Sequence, residues 1–193
     1  MRALLIVVSF FYSAILFSQN KEAKPIEINS GSQNLEVSGN FLFLLTDDLK
    51  INQRNLLAFK NKMKPYCDCV KDDKLQLPKI LWLKADLVNT SNDTLNLVFR
   101  TSNAPEVDAW VFSENDTLTK TIGFVQKSEE RYSKEIFSSF SFELLPFQKK
   151  QIILRQEVHT LEFMIAKFDI SSTAAFENYL LGAYQYYHGS RLL

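Results

Sequence analysis

Apolar and polar positions alternate with a period of two through much of the second half of the chain. The stretches 81–88, 95–100 and 107–112 each carry an apolar residue at every second position. Alternation over four to eight residues predicts half-buried antiparallel strands. The same reasoning predicts later strands at 117–122, 134–144, 149–156 and 160–169. About eight strands without strand–helix–strand spacing predict an all-β fold, a jelly-roll β-sandwich.

The region before residue 80 mixes short strands with one helical pattern. Short strands are predicted at 26–28 and on both sides of the turn 38–40. Apolar residues at helical spacing predict a short helix near 52–63, with Asn52 as its N-cap and Pro65 after its end. We therefore assign 34–170 to one jelly-roll domain with this helix inserted in it.

The C-terminal segment 171–193 returns to helical spacing. Ser171-Ser172-Thr173 can cap a helix near 173–187. Four tyrosines between 179 and 187, followed by Arg191, are typical of the rim of a membrane span, where amphipathic rings settle. A helix that closes the sandwich and the start of a first transmembrane helix are both compatible with this pattern.

The N-terminus has the form of a targeting signal. Met1-Arg2 precedes an uncharged apolar run from Ala3 to Phe17, and a polar segment follows. This pattern predicts a secretory signal peptide over 1–18, with 19–33 as a leader. An uncleaved anchor is the alternative. Either way we expect an exported protein at the periplasmic or extracellular face of a bacterial inner membrane.

Composition excludes several classes of function. Basic and acidic residues number 22 each, so the chain lacks the positive surplus of a nucleic-acid binder. Cys67 and Cys69 are too few for a disulfide scaffold or a four-cysteine zinc site, and His159 and His188 are remote from them in sequence. We interpret the cysteines as two thiols or a local bridge, and expect no metal and no cofactor.

Catalytic motifs are absent from the sequence. It contains no Gly-x-Ser-x-Gly elbow, no Gly-rich phosphate loop and no His-Glu-x-x-His motif. The adjacent carboxylates Glu129 and Glu130 would face opposite sides of a strand, whereas a glycosidase needs two that converge on one bond. We therefore expect no catalytic residues and no enzyme activity.

Ligand binding has a better basis in the sequence. Trp82 and Trp110 are out of phase with the Leu and Val positions of their own strands, and so are the charged residues Asp108 and Arg100. Aromatic faces beside polar groups are what a sugar-binding surface uses. These four residues are candidates for a ligand surface, and burial of the two tryptophans in a core is the alternative.

Four stretches also resemble a known family, namely 42–48, 81–89, 107–112 with Gly123 and Arg131 after it, and 182–189. Over about residues 35–190 the chain resembles the second type of extracellular domain of the bacterial "diverse intracellular signalling" seven-transmembrane receptors. The resemblance implies a jelly roll that binds carbohydrate-like ligands and feeds seven membrane helices and an output that is often a histidine kinase. It adds Arg131 and Tyr132 to the ligand candidates.

The expected function is that of a non-catalytic, ligand-sensing input domain of a membrane signalling receptor, with a carbohydrate as the ligand. The chain ends where the resemblance would place the first receptor helix, so no kinase activity is expected of it. Expected partners are a small molecule or carbohydrate, the membrane through the C-terminal segment, and a second copy of the chain in a homodimer. The alternatives are a free periplasmic carbohydrate-binding module and an unrecognised hydrolase.

Overall fold

A computed structural model describes residues 23–32, 34–66, 76–101, 104–114, 116–123, 138–160 and 167–189. For residues 138 and 183–189 it describes the backbone only. The described residues contain two 3-10 helices, Ser38–Asn40 and Leu56–Lys62, and one α-helix. The α-helix, α1, is Thr173–Gly189. The strands are β1 Ile26–Ile28, β2 Asn34–Glu36, β3 Leu42–Thr46, β4 Lys64–Pro65, β5 Lys79–Asn89, β6 Leu95–Thr101, β7 Val107–Phe112, β8 Thr117–Ile122, β9 Ser138–Leu144, β10 Lys149–Val158 and β11 Phe168–Ser172.

The strands form two sheets packed face to face. Sheet A has the order β4-β3-β5-β10-β7-β8, and sheet B has the order β2-β11-β6-β9. All pairings are antiparallel except that of β1, which runs parallel to the end of β5. From β5 onward the chain passes repeatedly from one sheet to the other, as in a jelly roll. The predicted all-β jelly-roll sandwich with a short helix and a C-terminal helix is confirmed.

The period-two pattern explains the main core. Successive side chains of a strand point to opposite faces, so one alternating set of each strand faces the other sheet. On β5 this set is Leu81, Leu83, Ala85 and Leu87, all of them buried. Phenylalanines fill the space between the sheets, and the rings of Phe41 and Phe168 stack with centroids 4.7 Å apart. Truncating such a buried ring to Ala typically costs about 3–5 kcal/mol.

A second, smaller core lies on the outer face of sheet A. The 3-10 helix Leu56–Lys62 and the turn before it cover one end of that face, so that Ile51, Leu56 and Met63 pack there. The Oδ1 atom of Asn52 accepts hydrogen bonds from the backbone N–H groups of residues 54 and 55. A helix is therefore present within the predicted range 52–63, but it is a 3-10 helix that begins at Leu56 and has Asn55 at its N-cap position. Asn52, the predicted N-cap, caps the turn before the helix instead.

The helix α1 follows β11 without a connecting loop. Ser172 is the last residue of β11, and its Oγ accepts a hydrogen bond of 3.2 Å from the backbone N–H of Ala175. Thr173 donates through Oγ1 to the carbonyl oxygen of Asn96 on β6, and Phe176 is buried. The helix thus packs on sheet B, as a closing helix does. Among the described residues, no helix combines the length and apolar character that crossing a membrane requires.

One predicted strand differs from the structure, and several predicted features lie outside the described residues. The strand expected at 160–169 is found as β11, Phe168–Ser172, and residues 159 and 160 form a bend. The signal peptide at 1–18, the cysteine pair, Arg131 and Tyr132 lie outside the described residues.

Candidate functional site

The outer face of sheet A carries the polar and aromatic side chains of three adjacent strands. Strand β10 lies between β5 and β7, and its register brings together residues that are far apart in sequence. The cross-strand rows on this face are Trp82–Arg155–Asp108, Lys84–Ile153–Trp110 and Asp86–Gln151–Phe112.

A cleft of about 670 Å³ lies at the third of these rows. Phe112, Asp86 and Gln151 line it, together with Glu27 from β1 and Lys149 from the start of β10. It is of the size at which proteins commonly bind small ligands, about 300–1,000 Å³. Because it opens on a rigid sheet, its side chains are held in place by the strand register.

The carboxylate of Asp86 is fixed by two donors. The Nζ atom of Lys84 lies 3.1 and 3.0 Å from its two oxygens, and Nε2 of Gln151 donates to its Oδ1 at 2.8 Å. Lys84 is itself buried, so this ion pair is shielded from water on one side. The result is a carboxylate and an amide in fixed positions at the edge of the cleft, with acceptor and donor capacity left for a ligand.

Aromatic side chains continue from the cleft along β7. Trp110 and Phe112 point to the same face two residues apart, and both are half-buried. Trp110 stacks on Trp82, with ring centroids 6.0 Å apart and planes inclined by 24°. A partly exposed ring beside planar polar groups can contact the apolar face of a sugar while the polar groups bind its hydroxyls.

Trp82 occupies the predicted face but is not accessible. Its side chain is 1% exposed, because the segment containing the 3-10 helix Leu56–Lys62 folds over it. Its Nε1 atom has no hydrogen-bond partner among the described residues. The expectation that Trp82 lines an open ligand surface does not fit this burial, and the alternative of core packing describes it correctly.

Asp108 lies at the other end of the outer face. It accepts hydrogen bonds from Thr121 Oγ1 at 3.1 Å and from Arg155 Nη1 at 3.3 Å. Arg155 also pairs with Glu157, and these residues line a separate, smaller cleft of about 240 Å³ with His159. No group of three or more His, Cys, Asp or Glu side chains within the described ranges is placed to bind a metal ion.

Arg100 lies on the opposite side of the sandwich. Its Nη2 atom is 2.8 Å from Asp169 Oδ2 on the neighbouring strand β11 of sheet B, and its guanidinium carbon lies 4.7 Å from the centre of the Tyr179 ring of α1. Arg100 therefore contacts the C-terminal helix and does not share a site with Trp110. None of the predicted site residues in the described ranges lines the 670 Å³ cleft, and Trp110 lies in the neighbouring cross-strand row.

Asp86, Phe112 and Gln151 line the cleft but are not among the predicted site residues. Asp86 and Phe112 have the same alternation phase as Trp82 and Trp110, so this signal was present in the sequence. Gln151 could not be placed, because its hydrogen bond to Asp86 joins residues 65 positions apart. Only the register of β10 between β5 and β7 brings these side chains together.

Comparisons with known proteins identify no family. Neither a scan against protein-family models nor a search of curated proteins gives a match to the chain. The resemblance to receptor sensor domains therefore stays a prediction.

Proposed function

We propose that this chain is a non-catalytic, exported carbohydrate-binding domain that serves as the ligand-sensing input of a membrane signalling receptor. The observation that carries the proposal is the cleft on the outer face of sheet A. It combines the ring of Phe112 with the fixed carboxylate of Asp86 and the amide of Gln151, and Trp110 lies in the next row.

The chemistry of the cleft favours a neutral, hydroxyl-rich ligand. Both signs of charge are present, since Glu27 and Asp86 are accompanied by Lys149. The carboxylate of Asp86 is held by Lys84, so it acts as a hydrogen-bond acceptor within an ion pair. This arrangement supports recognition of hydroxyl groups and a role without catalysis.

The proposed signalling step is a population shift. A ligand can shift an equilibrium only by its different affinity for the two states. Here the states would be two packings of the sandwich against α1, which contacts sheet B through Arg100 and Phe176. Ligand bound on sheet A would favour one of them through the shared core, and α1 would transmit the change toward the membrane.

Titration calorimetry with a panel of neutral oligosaccharides tests the binding. We expect at least one member to bind, and we expect Gln151→Ala and Trp110→Ala each to raise its Kd about tenfold, which corresponds to about 1.4 kcal/mol. Gln151 is half-buried at the surface, so its removal leaves the Trp110–Trp82 stack intact.

The matched control is Ser141→Ala. Ser141 is exposed on β9 of sheet B, so this variant should bind as the wild type does. Failure of the whole panel to bind, or equal loss of binding in the control, would contradict the carbohydrate site.

The receptor role has a separate test. Reading the coding sequence downstream of Leu193 should show seven apolar spans in frame. A different continuation would remove the receptor part and favour the free carbohydrate-binding module, which the calorimetry would leave intact.

A further inference from the structure

A second cleft adjoins the first at the turn between β9 and β10. It has a volume of about 720 Å³ and shares Ser113, Glu114, Lys149 and Lys150 with the first cleft. The tip of the turn, Leu145 to Gln148, forms its far wall. The two clefts are therefore parts of one groove that begins at Phe112 and reaches Phe147.

We propose that this groove binds an extended neutral oligosaccharide through two subsites, with Phe147 as the aromatic platform of the second. The inference rests on the proposed carbohydrate-binding function and specifies its ligand as a chain of several sugars. It makes Phe147 a specificity-determining residue that recognises chain length.

The conformation of Phe147 is the first supporting observation. Its φ is 56°, in the left-handed region that Gly and Asn adopt readily and bulky residues rarely do. Gln148 N–H donates to the Leu145 carbonyl oxygen at 3.0 Å, so Phe147 is the third residue of a tight turn after Pro146, a position where Gly is favoured. Local turn chemistry therefore argues against Phe at this position.

The exposure of Phe147 is the second observation. Its side chain is 63% exposed, and the neighbouring Leu145 is 46% exposed. A strained aromatic residue that keeps most of its ring in water contributes little to folding. Backbone strain of this kind clusters at binding sites, where the strained residue contacts a ligand.

Hydrogen bonds also hold in place the backbone of the turn that carries Phe147. Leu145 N–H donates to Gln148 Oε1 at 3.0 Å, and the Gln148 carbonyl accepts from Asn89 N–H at 3.0 Å. Asn89 Nδ2 donates to the Leu145 carbonyl at 3.0 Å. The backbone of a turn held in this way requires little ordering when a ligand binds, which favours affinity.

The spacing of the two aromatic residues sets the ligand's length. Gln151 faces Phe112 across the sheet, and Phe147 lies four residues before Gln151, in the turn that leads into β10, so the two are separated by at most about 13 Å along the chain. A separation near that limit is longer than one sugar ring. A disaccharide can occupy one subsite, whereas a hexasaccharide can reach both. Its second contact is then intramolecular, which raises the overall affinity.

The charges of the second cleft indicate a neutral chain. Its carboxylates are those of Glu114, Asp116 and Glu143, and its ammonium groups are those of Lys149 and Lys150, three against two. This balance does not favour an acidic polysaccharide, which would need a surplus of positive charge.

Calorimetry with cello-, xylo-, manno- and chito-oligosaccharides of two and of six sugars tests the inference. In the wild type we expect the hexasaccharide of the series that binds to have a Kd at least tenfold lower than the disaccharide. Phe147→Gly should remove most of this gain and leave disaccharide binding unchanged, whereas Phe112→Ala should weaken both. Because Gly suits the left-handed position, the Phe147→Gly variant should melt no lower than the wild type.

The outcomes separate the inference from the function on which it rests. A hexamer also gains statistically from its repeated units, but that gain is equal in both proteins, so the difference between wild type and Phe147→Gly reports the second subsite. Equal affinity for both lengths, or a length gain that survives in Phe147→Gly, overturns the two-subsite groove and leaves carbohydrate binding standing. Absence of binding at every length overturns both.

Discussion

Replacing Asn89 by Ala should lower the free energy of unfolding by about 3 kcal/mol. Asn89 ends β5 and is 0% exposed. Its Nδ2 atom lies 2.7, 3.2 and 3.0 Å from the carbonyl oxygens of Asp93, Leu144 and Leu145, and its Oδ1 accepts from the N–H and hydroxyl of Ser91. One side chain thus joins the β5–β6 turn to the β9–β10 turn.

The magnitude follows from counting these bonds. The side-chain amide has two hydrogens for three carbonyl oxygens, so two of these oxygens share one hydrogen. Two donated and two accepted bonds at a net value of about 0.5–1.5 kcal/mol each give about 2–6 kcal/mol, and we take the lower half because the exposed partners regain water. For a domain of this size, a loss of about 3 kcal/mol corresponds to a Tm lower by about 6–12 °C.

Urea unfolding followed by tryptophan fluorescence measures this loss. Asn92→Ala is the matched control, since Asn92 is exposed in the same turn, and it should change the stability by less than about 0.5 kcal/mol. Equal stabilities of the two variants would refute the reasoning, because the buried amide would then contribute no more than an exposed one.

The Asn89→Asp variant sharpens the test. An ionised carboxylate cannot donate to the surrounding carbonyl oxygens, so this variant should be less stable than Asn89→Ala at neutral pH. Those carbonyls would raise the pKa of the introduced carboxyl in the folded state. The variant should therefore recover stability as pH falls below that pKa and lose it as pH rises through it. A stability deficit that does not change with pH would contradict this account.

Two further predictions concern the frame of sheet A. Gly123→Ala should lower the Tm by several degrees, because a Cβ atom there would lie 2.0 Å from the Pro105 carbonyl oxygen. The φ of Gly123 is also 150°, which a residue with a side chain rarely adopts. Gly39→Ala is the control in the same melting experiment, since a Cβ atom there would meet nothing within 4 Å. The hydrogen bond and charge of Lys79 lower the pKa of the exposed Asp47, so Lys79→Met should raise it toward its ordinary value in an NMR titration. The ion pair contributes its full stability above the ordinary pKa of the carboxyl and loses it as pH falls through the lowered pKa. An unchanged pKa of Asp47 in the variant would contradict the assignment.

The sequence pattern predicts the sandwich well because its signal is local. Alternation on β5, β6 and β7 identifies both the strands and the side that each buries, and the observed core uses the predicted set, such as Leu83, Phe99 and Ala109. Ser172 marks the start of the C-terminal helix for an equally local reason, since a cap bonds to a residue two or three positions away. Asn52 bonds to residues at the same distance, but these lie in the turn before the 3-10 helix, which has Asn55 at its N-cap position.

The candidate site is predicted less well because it depends on pairings that are not local. Alternation assigns Trp82 to the outer face but cannot show that a segment around Leu56 covers it. It also gives no sign that Arg100 and Trp110 lie on different sheets, or that Gln151 reaches Asp86. These facts follow from the order of the strands, which the pattern of a single strand does not contain.

The direct junction between β11 and α1 has a mechanical consequence. Since Ser172 both ends the strand and caps the helix, no flexible linker separates the axis of α1 from the twist of sheet B. The 17 residues of α1 form a rod of about 25 Å at the helical rise, so a rotation of about ten degrees at its base displaces its tip by about 4 Å. A lever of this length converts a slight change in sheet curvature into a movement comparable to the spacing between strands.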